Sequence, residues 1–301
     1  QQGYGGGILL LGDRNSGKTA FCKHILQQTK SNNIFTVFPP IQGDISYEGF
    51  EQALAKATQM NGDTDQILSA LPKGSILVIN DMELFWERHA NGLQLIHLLQ
   101  QLIDKYGGRI LFILNMNPHA FKIINQLTPF ADRFIEIINF LPFDAEDLKE
   151  LVMKRHRSSG LSMRFNQKSN TLNEVQLAGL FDKYFSYSDG NPGTALNGWL
   201  ANIKKRTTDG LIIEKPDVPS VASLKRLNED WIMLLVQFVL HKRLTEKKIE
   251  RISGWSIEEV KSQLLSMLRA GIIIEKASGI YHIDSFIHPF IVKALKEKEV
   301  L

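Results

Sequence analysis

At 301 residues, 44% of them hydrophobic and 22% charged, the chain has the make-up of a globular protein with room for two or three domains. A formal net charge of +3 is too small to argue for nucleic acid by itself, and no apolar run approaches the roughly 20 residues a membrane helix needs. The single cysteine, Cys22, excludes an internal disulfide and fits a reducing, cytoplasmic setting. Residues 1–7 lack an initiator Met, a charged n-region and an apolar h-region, so they are no signal peptide. They are expected to be the cut start of a fragment of a longer protein, or a linker.

The first apolar run, residues 8–11, reads as a buried strand and leads into Gly12, Asp13, Arg14, Asn15, Ser16, Gly17, Lys18 and Thr19. Ala20 then opens a helix. G-x-x-x-x-G-K-[ST] between a strand and a helix is a phosphate-binding loop, because its glycines let backbone N–H groups turn inward around an anion at the positive helix end. Residues 12–20 are therefore the expected nucleotide contacts. Lys18 is assigned to the β- and γ-phosphates, and Thr19 to Mg²⁺.

Residues 34–38 read as a strand stopped by Pro39-Pro40, residues 47–59 as an amphipathic helix, and 65–71 as a short helix closed at Pro72. Residues 75–81 form a continuous apolar strand of the kind buried on both faces of a parallel sheet, and it ends in an acid. Two registers are open. In one, Asn80 takes the magnesium-side position and Asp81 that of the water-activating acid; an uncharged Asn there predicts weak magnesium binding or slow hydrolysis. In the other, Asp81 serves the metal and Glu83 is the nearest remaining acid. Residues 93–106 carry a wide apolar stripe and read as a helix on the sheet. Residues 109–114 form the next strand, with Asn115 at its tip as a candidate γ-phosphate or water sensor; a simple turn role is also open for it. A helix at 119–127, Arg133, a strand at 134–138 and a helix at 145–157 follow. No Ser/His/Asp, Cys/His or protein-only metal-ligand spacing is visible.

In that order, residues 12–19, the strand ending at Asn80-Asp81, the strand ending at Asn115, and Arg133 before a further strand resemble the two Walker motifs, sensor 1 and arginine finger of AAA+ ATPases. The run 141–148 resembles that family's strand-to-lid connection. The resemblance implies an α/β fold: a parallel-sheet P-loop NTPase core, a helical lid and a C-terminal winged helix. It implies ATP/ADP and Mg²⁺ as ligands. It also implies that Arg133 reaches a neighbouring subunit's γ-phosphate; a surface salt bridge is the other reading. Near Gly193 the sensor-2 Arg of origin-recognition relatives is missing. Gly190-Asn191-Pro192 resembles instead the Gly-x-Pro motif of STAND signalling ATPases, which implies that Pro192 lies against the nucleotide base.

The domains expected are an ATPase core over 1–143, a lid over 144–210, a linker over 211–224 and a winged helix over 225–301. Within the last, helices are expected at 231–240, 245–253 and 256–270, followed by a hairpin over 271–283. The second helix of a helix-turn-helix would place Glu258 and Glu259 at its reading end, which favours a protein-contacting or autoinhibitory module over one that grips DNA. The expected function is an ATP-binding, slowly ATP-hydrolysing switch that couples nucleotide state to self-association or a protein partner. A DNA-remodelling ATPase that binds DNA through the winged helix is the alternative, and a non-hydrolysing nucleotide scaffold is the third reading.

Overall fold

The computed structural model describes residues 6–29, 33–40, 46–165, 174–208, 210–214, 216, 224, 226–277 and 279–301. Five strands, β1 (Gly6–Gly12), β2 (Ile34–Val37), β3 (Ser75–Ile79), β4 (Ile110–Met116) and β5 (Glu136–Phe140), form one sheet in the order β2-β3-β4-β1-β5. Every pairing in it is parallel. Each of these strands is followed by a crossover or a lid element, and the continuous Ile/Leu/Val character of β1, β3 and β4 follows from burial on both faces. Five helices cover the sheet: α1 (Lys18–Gln28), α2 (Tyr47–Thr58), α3 (Thr64–Ala70), α4 (Gln94–Tyr106) and α5 (Pro118–Leu127). The buried face of α4, Leu95, Ile96, Leu99, Leu102, Ile103 and Tyr106, is the stripe read from the sequence. At about 1.5–3 kcal/mol for each large apolar side chain fully buried, it is a principal anchor of the core. Tyr106 also donates to Asp65 Oδ1 at 2.8 Å, tying α4 to α3.

The second unit comprises α6 (Ala145–Arg157), β6 (Ser162–Phe165), α7 (Glu174–Ser188), α8 (Pro192–Ala201), β7 (Ile203–Arg206) and β8 (Gly210–Ile213). Leu148, Val152, Leu180, Tyr184, Trp199 and Ile213 form its own core. The sequence led us to expect helices alone here. Instead β6, β8 and β7 make a three-stranded sheet. Part of the expected linker is thus a strand, with Leu211 and Ile213 buried; residues 217–223 of that stretch lie outside the described residues.

The third unit has the helix, helix, helix, hairpin order read from the sequence: α9 (Glu229–His241), α10 (Glu246–Ser253), α11 (Ile257–Arg269), β9 (Ile273–Ala277) and β10 (Ile280–Ile283), closed by α12 (His288–Glu297). Ser256 and Glu259 form the capping box at the start of α11. Leu234, Phe238, Ile249, Leu264 and Ile283 are among its core residues. Leu240, at the end of α9, packs instead into the apolar cluster of the parallel sheet. That one helix therefore belongs to two cores and docks the C-terminal unit against the carboxyl edge of the sheet. Among the described residues, no helix is long and apolar enough to cross a membrane.

Candidate nucleotide site

The carboxyl ends of β1, β3 and β4 converge on a cavity of about 740 Å³, the place where a parallel α/β sheet presents ligands to its loops. Asp13 to Ala20 line it together with Asp81, Glu83, Asn115 and Asn117. The loop adopts the left-handed conformation at Asn15 (φ 67°) and at Gly17 (φ 97°), the N-cap of α1. Those reversals on either side of Ser16 curve the backbone into a concavity with the α1 N-terminus at its floor, an arrangement that attracts anions. Lys18 Nζ donates to the carbonyls of Gly12 at 2.5 Å and Asp13 at 3.0 Å. Burial pulls the Lys18 ammonium below its ordinary pKa, and the carboxylates of Glu83 and Asp13 oppose that pull. Asp13 pairs with His119 Nε2 at 3.3 Å.

The two registers of β3 concern Asn80, Asp81 and Glu83, which the structure places differently. Asn80 is buried and outside the cavity lining, its Oδ1 accepting from Asn115 Nδ2 at 2.5 Å. Asp81 and Glu83 are the acids that reach the cavity. Asp81 sits at φ 52°, and its N–H donates to Asn115 Oδ1 at 2.8 Å. Asn115 thus spans Asn80 and the Asp81 backbone, so it fixes the acid's position as well as lining the cavity. Glu83, in the 3₁₀ turn Met82–Leu84, accepts from the N–H of Asn117 at 3.2 Å. Burial first, and then the neighbouring Asp81 charge, push its carboxyl above the usual range, the direction a general base near neutral pH requires.

Two other units close the cavity. From the second, Asn191 Nδ2 donates to the Arg14 carbonyl at 2.8 Å, and the Gly193 N–H to the Asn15 carbonyl at 3.0 Å. A Cβ at Gly193 would lie 2.7 Å from Asn15 atoms, so only glycine permits this approach. Arg155 lines the cavity from α6. From the third unit come Val239, Lys242 and His288. Lys242 Nζ lies 2.5 Å from Asp81 Oδ1, Asn117 Nδ2 donates to the carbonyl of Leu240 at 3.1 Å, and Arg14 Nη1 to that of Ile283 at 3.4 Å. Burial and the nearby Arg14 hold the His288 imidazole down to about 4.

Among solved structures, the ORC2 protein of Aeropyrum pernix, determined as ADPNP–ADP complexes, matches 98% of this chain and 89% of its own at a TM-score of 0.56 and 10% identity. The chain shares that fold, an α/β fold with the parallel sheet of P-loop NTPases. Cdc6p of Pyrobaculum aerophilum is similar over 97% of this chain and 88% of its own, at a TM-score of 0.49 and 16% identity. The RuvB Holliday junction branch migration motor of Thermotoga maritima is similar over 98% and 88%, at 0.43 and 15%. No family model and no curated relative matches the sequence.

Within this fold, Arg133 stands apart from the other candidates. It precedes β5 at the amino edge of the sheet, where the N–H of Ile135 donates to the Gly7 carbonyl, and its Nε pairs with Asp104 at 3.1 Å. The phosphate loop is at the opposite end of β1, so Arg133 cannot serve the cavity of its own chain. Pro192 is buried at the first turn of α8 and lines a second cavity of about 250 Å³ with Leu141, Pro142 and Lys296. That cavity shares Asp13, Arg14, Ser16 and His288 with the first.

The donors fit a magnesium nucleotide. Thr19, Asp81 and Glu83 offer hard oxygens, and Ser16 Oγ is buried with no hydrogen-bond partner among the described residues. No group of three His, Cys, Asp or Glu that could hold a metal occurs among the described residues. An ion here would have to arrive with phosphates and keep its waters, as Mg²⁺ does. The sequence reading named Asn191 only as the middle residue of the Gly-x-Pro resemblance and gave no role to Lys242 or His288. Asn191 carries a local signal, an Asn N-cap before Pro at N1; Lys242 and His288 carry none, because only the docking of the third unit brings them to the loop.

Proposed function

We propose that the chain is a Mg²⁺-dependent ATP-binding and slowly hydrolysing switch, in which nucleotide state sets the position of a C-terminal winged helix and so governs self-association or a protein partner. The observation that carries this reading is one cavity lined at once by the phosphate loop, by Asp81 and Glu83 of the sheet, and by Lys242 and His288 of the third unit. A ligand filling it must touch what moves. Lys18 and the N–H groups of residues 15–20 bind the phosphates, Thr19 and Asp81 hold Mg²⁺, and Glu83, kept largely protonation-competent by burial, accepts the proton of the attacking water. Asn115 positions Asp81. The base occupies the adjoining 250 Å³ cavity against Pro192. Arg133 belongs to a subunit contact, since it is remote from its own loop. Boundaries near 143 and 224 divide core, lid and winged helix.

The slow turnover follows from the site's coverage: Asp81 is held by a lysine, and Glu83 lies in the protein interior. Glu258 and Glu259 are exposed at the start of α11, which supports a protein-contacting winged helix. Calorimetry of ATP and ADP with and without Mg²⁺, joined to single-turnover hydrolysis and sedimentation in each nucleotide state, tests the proposal. It expects Mg²⁺-dependent ATP binding, slow phosphate release and a change in hydrodynamic radius or association state between ATP and ADP. Identical hydrodynamics in all states would refute the switch, and absence of nucleotide binding would refute the site.

A further inference from the structure

Lys242 is the residue of the third unit that meets the catalytic acids directly. Its ammonium is 2.5 Å from Asp81 Oδ1, with about a quarter of each side chain exposed. It follows the last turn of α9 at φ 62°, ψ −44°, a backbone region that a residue with a Cβ rarely adopts. The chain is held in that conformation by bonds on both sides: His241 Nδ1 contacts the Glu83 carbonyl at 3.3 Å, and Arg243 Nη2 donates to the Pro40 carbonyl at 2.9 Å. Three consecutive residues thus grip the edge of the sheet, and the middle one extends a single positive charge to the carboxylate at the end of β3.

We propose that Lys242 occupies the cation position of the nucleotide site, so that its ammonium and the Mg²⁺ of a bound nucleotide exclude one another at Asp81. The inference rests on the nucleotide reading above and adds which form of nucleotide the docked arrangement accepts. A Mg²⁺ ion takes carboxylate oxygens at about 2.0–2.1 Å and demands near-octahedral space for its waters. An ammonium already on Oδ1 stands within a few ångströms of that place. It repels the ion and fills a water position. Removing Lys242 from Asp81 relaxes the unusual backbone at residue 242 and loosens the grip of its neighbours. The docked state therefore takes nucleotide without a metal, or with a weakly held one, and nucleotide carrying Mg²⁺ favours release of α9. Lys242 discriminates by metal content, and the phosphate loop by phosphate.

The test titrates Mg²⁺ against fixed ATP by calorimetry in the wild type, Lys242→Met and Lys242→Arg, with EDTA as the metal-free limit. Met keeps the aliphatic stem and Arg keeps the charge. Lys242→Met should lower the Mg²⁺ concentration at half-maximal effect by about tenfold, inside the 5–150-fold span of typical site-to-site coupling, while affinity in EDTA is retained. Lys242→Arg should resemble the wild type. Equal Mg²⁺ midpoints in wild type and Lys242→Met would overturn the inference. Loss of ATP affinity in EDTA would also overturn it, because Lys242 would then be a phosphate ligand. A measurement on the wild type alone guards against a variant that fails to fold: hydrogen exchange at residues 236–244 should accelerate with ATP and Mg²⁺ but not with ATP and EDTA, and the same rate in both would overturn it. If the wild type binds no ATP at all, the nucleotide reading itself falls. If ATP binds and only the Mg²⁺ comparison fails, that reading stands and Lys242 has no such role.

Discussion

Glu87→Gln tests how the third unit is held on the sheet. The Glu87 carboxylate is wholly buried beside the 3₁₀ turn, where Arg251 of α10 grips it with Nε on Oε2 at 3.0 Å and Nη2 on Oε1 at 2.7 Å. Lys248 Nζ of the same helix stands 3.7 Å from Oε1 and donates to the Trp86 carbonyl at 3.3 Å, and His89 Nε2 lies 3.3 Å from Oε2. Breaking a buried ion pair by removing one partner costs about 3–5 kcal/mol, because the other charge is left uncompensated. Arg251 is half exposed and regains water, whereas Lys248 is 1% exposed and does not. The lower end of that range therefore applies, and about 3 kcal/mol corresponds to a shift of roughly a hundredfold in the docking equilibrium. Hydrogen exchange across α9 and α10 reads that shift as a loss of protection, while α4 and β4 should keep theirs. Lys248→Met provides the complement: Glu87 keeps Arg251 and a buried ammonium disappears, so protection should be unchanged or higher. Full protection in Glu87→Gln, or its collapse in Lys248→Met, would refute the assignment of Glu87 as the charge that holds α10 down.

Lys18→Ala should abolish tight ATP binding in calorimetry, because Lys18 is the one cation of the loop placed for the terminal phosphates; retained affinity for ATP·Mg²⁺ would sink the site. Asn115→Ala frees the Asp81 N–H and leaves Asn80 unpaired, so steady-state kinetics should show kcat reduced by about 10–100-fold, as for other residues that orient a metal ligand, with KM for ATP little changed. Burial first holds the Lys248 ammonium down to about 8, against the support of Glu87, with Arg251 and Arg243 adding repulsion and the buried His241 beside it. The released unit therefore binds more protons than the docked one between about pH 8 and 10.5, so docking should strengthen as pH rises through that window, by at most about 3 kcal/mol at 1.36 kcal/mol per unit. Hydrogen exchange corrected for its intrinsic pH dependence measures this, and Lys248→Met should flatten it. Changing Glu258 and Glu259 together to Gln should leave DNA binding weak at about 150 mM salt, where non-specific binders show dissociation constants of roughly 10⁻⁴–10⁻⁶ M; a dissociation constant near 10⁻⁸ M for the unmodified chain, as specific binders reach, would favour the DNA-remodelling reading.

Legibility in the sequence tracked the range of the interactions involved. The strand–loop–helix setting of residues 12–19 could be read because its geometry is local: left-handed conformation at Gly17 and a helix N-terminus directly after it. The capping box at Ser256 and Glu259 was readable for the same reason. The end of β3 was not, because Ile76 to Ile79 are buried on both faces and period-2 alternation is absent; the pairing of Asn80 with Asn115 is a contact with the adjacent strand that the sequence does not encode locally. The sheet of the second unit escaped notice because β7 is short and carries Lys204, Lys205 and Arg206, which read as a polar connection. Lys242 and Arg243 look like an ordinary basic helix end, the place where cations favour the helix dipole. Their contacts with Asp81 and Pro40 span about half and two-thirds of the chain, and no local pattern encodes them.

The same long-range contacts constrain how such a molecule can respond. A ligand shifts an equilibrium only by its differential affinity for the two states, and a nucleotide confined to the loop would have none for a unit docked elsewhere. Here the docked unit supplies part of the cavity wall, so differential affinity is built in and, by linkage, runs both ways. Whatever pulls α9 away alters nucleotide affinity by the factor with which nucleotide alters docking. Two ionic contacts hold the unit docked, the buried Glu87 carboxylate gripped by two cations and the Lys242 ammonium at Asp81, and the unfavourable backbone at residue 242 acts against the second. Glu87 lies outside the cavity lining and Lys242 within it. Strengthening the first should therefore hold the unit docked whatever nucleotide is present, while removing the Lys242 charge should take away the sensitivity of docking to the metal. A partner that competes for α10 would accordingly act on nucleotide binding without entering the cavity at all.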